Sequence, residues 1–145
     1  MADRIEDLAD HMFDALAAAV TDLDDRSAEA DVNRHLNAIA GLGHDCMLTA
    51  MLGWVTAARE VAGDLPAGWW GVAAVDAATG QRIAPEGRVP APYLAAARIQ
   101  AALLNGDTET AAALWGAALN AGDGEGVVVL VLHQAAQAIR AHRRP

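Results

Sequence analysis

Apolar side chains recur at spacings of three and four along residues 3–23, at Ile5, Leu8, Met12, Phe13, Leu16, Val20 and Leu23. That spacing predicts an amphipathic helix with this stripe turned inward. Asp3, Glu6, Asp7, Asp10 and Asp14 lie mostly off the stripe, and acids in the first turns favour the positive end of a helix by about 0.3–1 kcal/mol each. A second helix is predicted from about Ser27 to Ala40, with Val32, Leu36 and Ile39 on one face and a break at Gly41-Leu42-Gly43. From Cys46 to Ala58 the pattern changes: there is no charge, and two threonines are the only polar side chains. Read as a helix over about 45–62, this stretch is apolar on nearly every side, which predicts that its own domain or a partner surrounds it. It is shorter than the ~20 apolar residues that cross a bilayer, and Arg59-Glu60 closes it with charge.

Residues 69–84 carry a different signal. Trp69-Trp70-Gly71-Val72-Ala73-Ala74-Val75 and Gln81-Arg82-Ile83 flank Asp76-Ala77-Ala78-Thr79-Gly80, and two apolar runs around such a turn predict a small β-hairpin over about 70–84. A lone hairpin is marginal in water, so this one is expected to pack on the helices through Trp69 and Trp70. Pro85 to Pro92 reads as a linker. Tyr93 to Asn105 and a helix capped by Asp107 or Thr108 form an αα-hairpin with Leu103, Leu104, Leu114, Trp115 and Leu119 as its seam. Val127 to Leu132 alone suits a strand. The following His-Gln-Ala-Ala-Gln-Ala-Ile-Arg is helical in type, and Val128, Val131, Leu132, Ala135 and Ile139 share a helical face, so one helix is expected. The predicted fold is mainly α: a compact bundle of about six helices around a buried central helix, with the small β-hairpin, in a single domain over 1–145. N-terminal helices occupy 1–63, the hairpin 69–84 and C-terminal helices 91–142.

Composition sharpens this picture. Hydrophobic residues make up 54% of the 145-residue chain while aromatics make up only 4%, so small side chains must let helices approach closely around a few bulky anchors. The net charge of −9 is uneven: residues 1–31 hold ten acids and two arginines, whereas Arg140, Arg143 and Arg144 end the chain. An acidic balance argues against nucleic acid and anionic membrane, both of which are held by neutralising negative charge. One cysteine, Cys46, allows no internal disulfide. With a charged N-terminus lacking an apolar signal core, it points to a reducing cytoplasm. The chain contains no lysine and a single serine, Ser27, which removes Schiff-base chemistry, the P-loop lysine and a Gly-x-Ser-x-Gly nucleophile. Arginine in place of all lysine suggests a high-GC genome.

Gly-Trp-Trp-Gly-Val at 68–72, Val-Asp-Ala-Ala-Thr-Gly at 75–80, the proline-rich linker and a helix ending Asn-Gly-Asp at 105–107 resemble small helical proteins of high-GC actinobacteria. The resemblance covers roughly residues 44–142. It implies a helical fold and no activity, site or cofactor.

Candidate chemistry falls to histidines, acids and arginine. His11 lies between Asp7 and Asp14 at helical spacing, the arrangement of a surface ion pair or of a carboxylate-tuned base. His44-Asp45-Cys46 gathers soft ligands, but residues 44 and 46 stand ~200° apart on a helix, so a metal would need His35 or His133 brought in by the fold; no metal and no cofactor are expected. His133 follows six apolar residues and reads as a core histidine. Helix 2, Gly-Leu-Gly and helix 3 have the outline of a helix-turn-helix without base-reading side chains. The leading functional expectation is a non-catalytic protein–protein interaction or regulatory protein, self-associating as a homodimer, with Met47, Met51 and Trp54 as the first candidates for the partner face, unless all three fill an intramolecular core. One alternative is a ligand-binding protein or enzyme with a pocket of Trp69, Trp70, Trp115, His44 and His133. Another is an acidic DNA mimic that occupies a basic partner.

Overall fold

The structure, a computed structural model, describes residues 2–21, 26–62, 74–75, 79, 81–83 and 89–143. Its helices are α1 (Ala2–Val20), α2 (Arg26–Leu42), α3 (His44–Ala62), α4 (Ala91–Leu104), α5 (Thr108–Asn120) and α6 (Gly124–Arg143). The chain divides into two compact units, Met1–Leu65 with Val131–Pro145, and Pro66–Leu130. The boundary falls within α6, whose residues are therefore shared between the two.

In the first unit, α1 packs on α2 and α3, and α2 and α3 pack on each other. Ala15, Ala19, Ile39, Ala50 and Met51 are fully buried and Trp54 is 1% exposed. The Trp54 indole Nε1–H donates to the main-chain carbonyl of Met12, 3.0 Å away, satisfying the one polar atom of the largest core side chain. Next to it, a Cβ on Gly53 would fall on the Met12 methyl, so the end of this flexible side chain occupies the space that the glycine leaves. The Arg4 guanidinium donates to the carbonyl of Leu42, the last residue of α2, and a single residue, Gly43, separates α2 from α3.

The inward face of α1 differs from the predicted stripe. Leu8, Ala15, Leu16 and Ala19 are buried, Met12 is half-buried, and Phe13 and Ile5 stand 68% and 64% exposed. The helix is turned so that Ala15 and Ala19 join Leu8 and Leu16 against its neighbours, while Ile5 and Phe13 face outward. The expectation of a surrounded α3 is corrected too. Met47, Ala50, Met51, Trp54 and Val55 form one buried stripe, whereas Thr49, Leu52, Thr56 and Val61 are exposed. The two threonines face outward without a partner helix because each hydroxyl donates to its own i−4 carbonyl, Thr49 to Asp45 at 3.0 Å and Thr56 to Leu52 at 2.7 Å.

In the second unit, α4 packs on α5, with Ala96, Ile99, Ala102 and Leu103 buried on one and Ala111, Trp115 and Ala118 on the other. Of the predicted seam, Leu104, Leu114 and Leu119 are half-buried. Gly106 and Gly122 end α4 and α5 with φ of +72° and +79°, a left-handed conformation that glycine adopts without a Cβ clash. In both, the next residue is an aspartate whose N–H reaches back to the helix, Asp107 to Ala102 and Asp123 to Ala118, each at 2.9 Å. Asp107 then caps α5: Oδ1 accepts from the Thr110 N–H at 3.0 Å and Oδ2 from its hydroxyl at 2.6 Å, and these bonds hold its carboxyl below the usual carboxylate value. Val127 to Leu132 are helical within α6.

The expected β-hairpin is not an element of the fold, which is all-α. Within about 70–84 the described residues hold only two antiparallel pairs, Ala74 with Ile83 and Val75 with Arg82, too few to form a sheet layer. Alanine is a poor strand former, and Pro85 removes a ladder donor just past Ile83. Trp69 and Trp70, which were to anchor the hairpin, lie outside the described residues.

Two stability predictions follow from these contacts. Trp54→Ala, by urea unfolding, should cost about 3–5 kcal/mol, and Trp54→Phe, which keeps an aromatic ring but removes the donor and part of the indole's bulk, less, about 1–3 kcal/mol. Asp107→Ala should lower the unfolding midpoint at pH 7. A carboxylate held below its ordinary value stabilises the fold above that value, so this difference should fade as acid protonates Asp107.

Candidate functional site

With Ala15 buried and Met12 half-buried, the apolar residues on the far edge of α1 border an open groove in the first unit. Phe13, Leu16, Ala17, Val20 and Thr21, one helical face, line an open groove of about 390 Å³ with Ile139 of α6. Leu16 and Ile139 form its buried floor, and Phe13 stands up at its rim. The hydroxyl of Thr21 donates to the carbonyl of Ala17 at 3.0 Å, and the groove's lining is more apolar than polar. Asp10 and Asp14, both exposed, flank Phe13 on α1, while the residue after Ile139 on α6 is Arg140.

The side chains expected to meet a partner are elsewhere. Met47, Met51 and Trp54 are buried in the first unit and cannot form a surface without unfolding α3 from α1; their size and apolarity serve the core. Of the expected Trp pocket, Trp115 is buried in the second unit, beside Gly124 and Leu119, and Trp69 and Trp70 lie outside the described residues. His44 is exposed at the start of α3 and Cys46 is half-buried. Among the described residues no group of three or more His, Cys, Asp or Glu side chains could hold a metal ion.

Two histidines take unexpected positions. His11 faces α2: its Nδ1 lies 2.9 Å from Nδ1 of His35, with ring centroids 5.2 Å apart. The pairing suggested by spacing, with Asp7 and Asp14, is not the one that forms. His133 is half-buried, with Nδ1 buried and lacking a hydrogen-bond partner. Desolvation, and then the charge of Arg140, push its pKa below the ordinary value of 6.5, against a weaker pull upward from Glu29.

Searches against protein-family models, curated proteins and solved structures return no match to the chain. Among the described residues, no helix is long and apolar enough to cross a membrane.

The His133 environment predicts a pH dependence. The folded protein resists a proton that the unfolded chain accepts below about pH 6.5, so stability should fall as pH drops through that value and level off once His133 itself is protonated. His133→Gln should flatten this part of the curve, as read from unfolding midpoints between pH 5 and 8.

Proposed function

We propose that the protein is a non-catalytic interaction protein that self-associates through the outward face of α1. The carrying observation is Phe13, 68% exposed at the rim of an apolar groove on a helix whose other face is well packed. A phenylalanine in water forgoes roughly 1.5–3 kcal/mol of burial free energy, and an apolar rim beside a groove is a typical contact surface.

A second copy is the occupant best matched to this face. The projecting ring and the groove are contiguous, so a two-fold pairing can seat each Phe13 in the other copy's groove, the self-complementarity that an isologous interface requires. Charge favours a particular direction. Laying α1 on α1 would set Asp10 and Asp14 against their own counterparts, whereas laying the acidic wall of one copy along the α6 wall of the other brings them towards Arg140. The groove presents apolar surface and little that could polarise a reacting group, which suits a side chain better than a substrate.

Sedimentation equilibrium across micromolar concentrations tests this reading. Wild type should form a dimer, and Phe13→Asp should be monomeric with unchanged circular dichroism, because Phe13 lies outside the core. A wild type that is monomeric throughout, or a Phe13→Asp dimer, would overturn it.

A further inference from the structure

We propose that the His11–His35 contact is an acid-operated catch between α1 and α2, tightened by one added proton and opened by a second. His11 projects from α1 and His35 from α2, both half-buried. Their Nδ1 atoms are 2.9 Å apart and their ring centroids 5.2 Å apart, so the two nitrogens meet head-on along the line between the rings. With both rings neutral this is an N–H···N hydrogen bond, in which one Nδ1 donates and the other accepts through its lone pair. The donor ring keeps a lone pair on Nε2, and the acceptor ring carries its hydrogen there. The first added proton therefore binds Nε2 of the donor ring, away from the contact. It leaves the bond in place and makes the donor cationic, which shortens and strengthens such bonds. The second proton has one nitrogen left, Nδ1 of the acceptor ring. Binding there consumes the lone pair that held the hydrogen bond and sets two N–H groups and two positive charges face to face.

The surroundings do not offset that second charge. Among the described residues neither ring is ion-paired with a carboxylate. On α1, Asp7 and Asp14 stand one turn to either side of His11 and Asp10 lies next to it, all exposed to water. On α2, Asp31, one turn before His35, is engaged by Arg34 at 2.9 Å. α3 packs on both helices; its charged groups, His44, Asp45, Arg59 and Glu60, are exposed towards its ends, and Cys46 is half-buried. On α6, His133 lies under the influence of Arg140 and of Glu29 from α2, and His142 is exposed. Like charges held this close in a half-buried seam repel strongly, so the rings separate towards water. The bond from the Trp54 indole to the Met12 carbonyl contains no group that titrates between pH 5 and 8, so α1 stays on α3 while its edge leaves α2. The release belongs to a single chain and does not rest on self-association.

Nuclear magnetic resonance of the ¹⁵N-labelled full-length chain from pH 8 to pH 5 tests this. Scalar coupling across the Nδ1–H···Nδ1 bond should be present at pH 8 and persist when the first ring becomes cationic. It should vanish when the second ring does, together with the cross-relaxation between α1 and α2 around this contact. The Trp54 indole should keep its protection from exchange throughout. His133→Gln should leave this sequence unchanged. In the double variant His11→Phe, His35→Phe, which keeps two rings and cannot take a proton, α1–α2 cross-relaxation should be independent of pH; the wild-type readings stand without it. Absence of the coupling at pH 8, two cationic rings with the α1–α2 contacts intact, or a second proton taken up only as Trp54 loses protection would each overturn the proposal. So would loss of the α1–α2 contacts in acid in the double variant.

Discussion

The hydrogen bond from the Trp54 indole to the Met12 carbonyl sets the rotation of α1, and much of what the first unit presents to solvent follows from it. A buried indole N–H must find an acceptor. In a helical core the acceptors within reach are main-chain carbonyls already engaged in their own helix, each with a second lone pair to offer. Reaching one requires the two helices to approach closely, and Gly53, beside Trp54, leaves the room that the Met12 methyl fills. Fully buried Ala15 and Ala19 continue the close approach along α1. The tryptophan supplies bulk and small residues supply proximity, which reconciles a strongly apolar chain with its few aromatics.

Successive residues on a helix turn by about 100°. With Met12 directed at α3, His11 is carried to one side, where it meets His35 of α2, and Phe13 to the other, where it stands in solvent beside the groove. The His11–His35 contact and the exposed Phe13 therefore both follow from one internal contact. The same rotation separates the roles of the apolar residues: Met47, Met51 and Trp54 hold the core, and the outward edge of α1 is left to meet something else.

Local rules were the most legible part of the chain. Asn105-Gly106-Asp107 and Ala121-Gly122-Asp123 mark helix ends through left-handed glycines and the aspartates after them, and the helical tail of α6 outweighs the β-type composition of Val127 to Leu132. The rotation of α1 was not legible, because the apolar arc from Ile5 to Val20 is wider than the face that packs, and alanine carries too little hydrophobic signal to reveal Ala15 and Ala19 as its centre. α3 looked surrounded because threonines that bond back to their own helix count as breaks in an apolar run only when their direction is known. The hairpin was over-read from Thr79-Gly80, a sound turn signal around which the described residues form only the pairs Ala74–Ile83 and Val75–Arg82. The His11–His35 pair joins residues 24 positions apart on separate helices, so local spacing pointed to the nearby aspartates instead. Those aspartates remain exposed.

Hydrogen exchange of the tryptophan indole N–H groups, resolved by ¹⁵N labelling and assigned with Trp54→Phe, tests the central contact most directly. The account predicts that the Trp54 indole exchanges as slowly as the most protected backbone amides of α1 and α3, opening only when the first unit unfolds. Exchange at the rate of a solvent-exposed indole would mean that Trp54 does not hold the Met12 carbonyl, and the rotation of α1, with the positions of Phe13 and His11, would have to be abandoned.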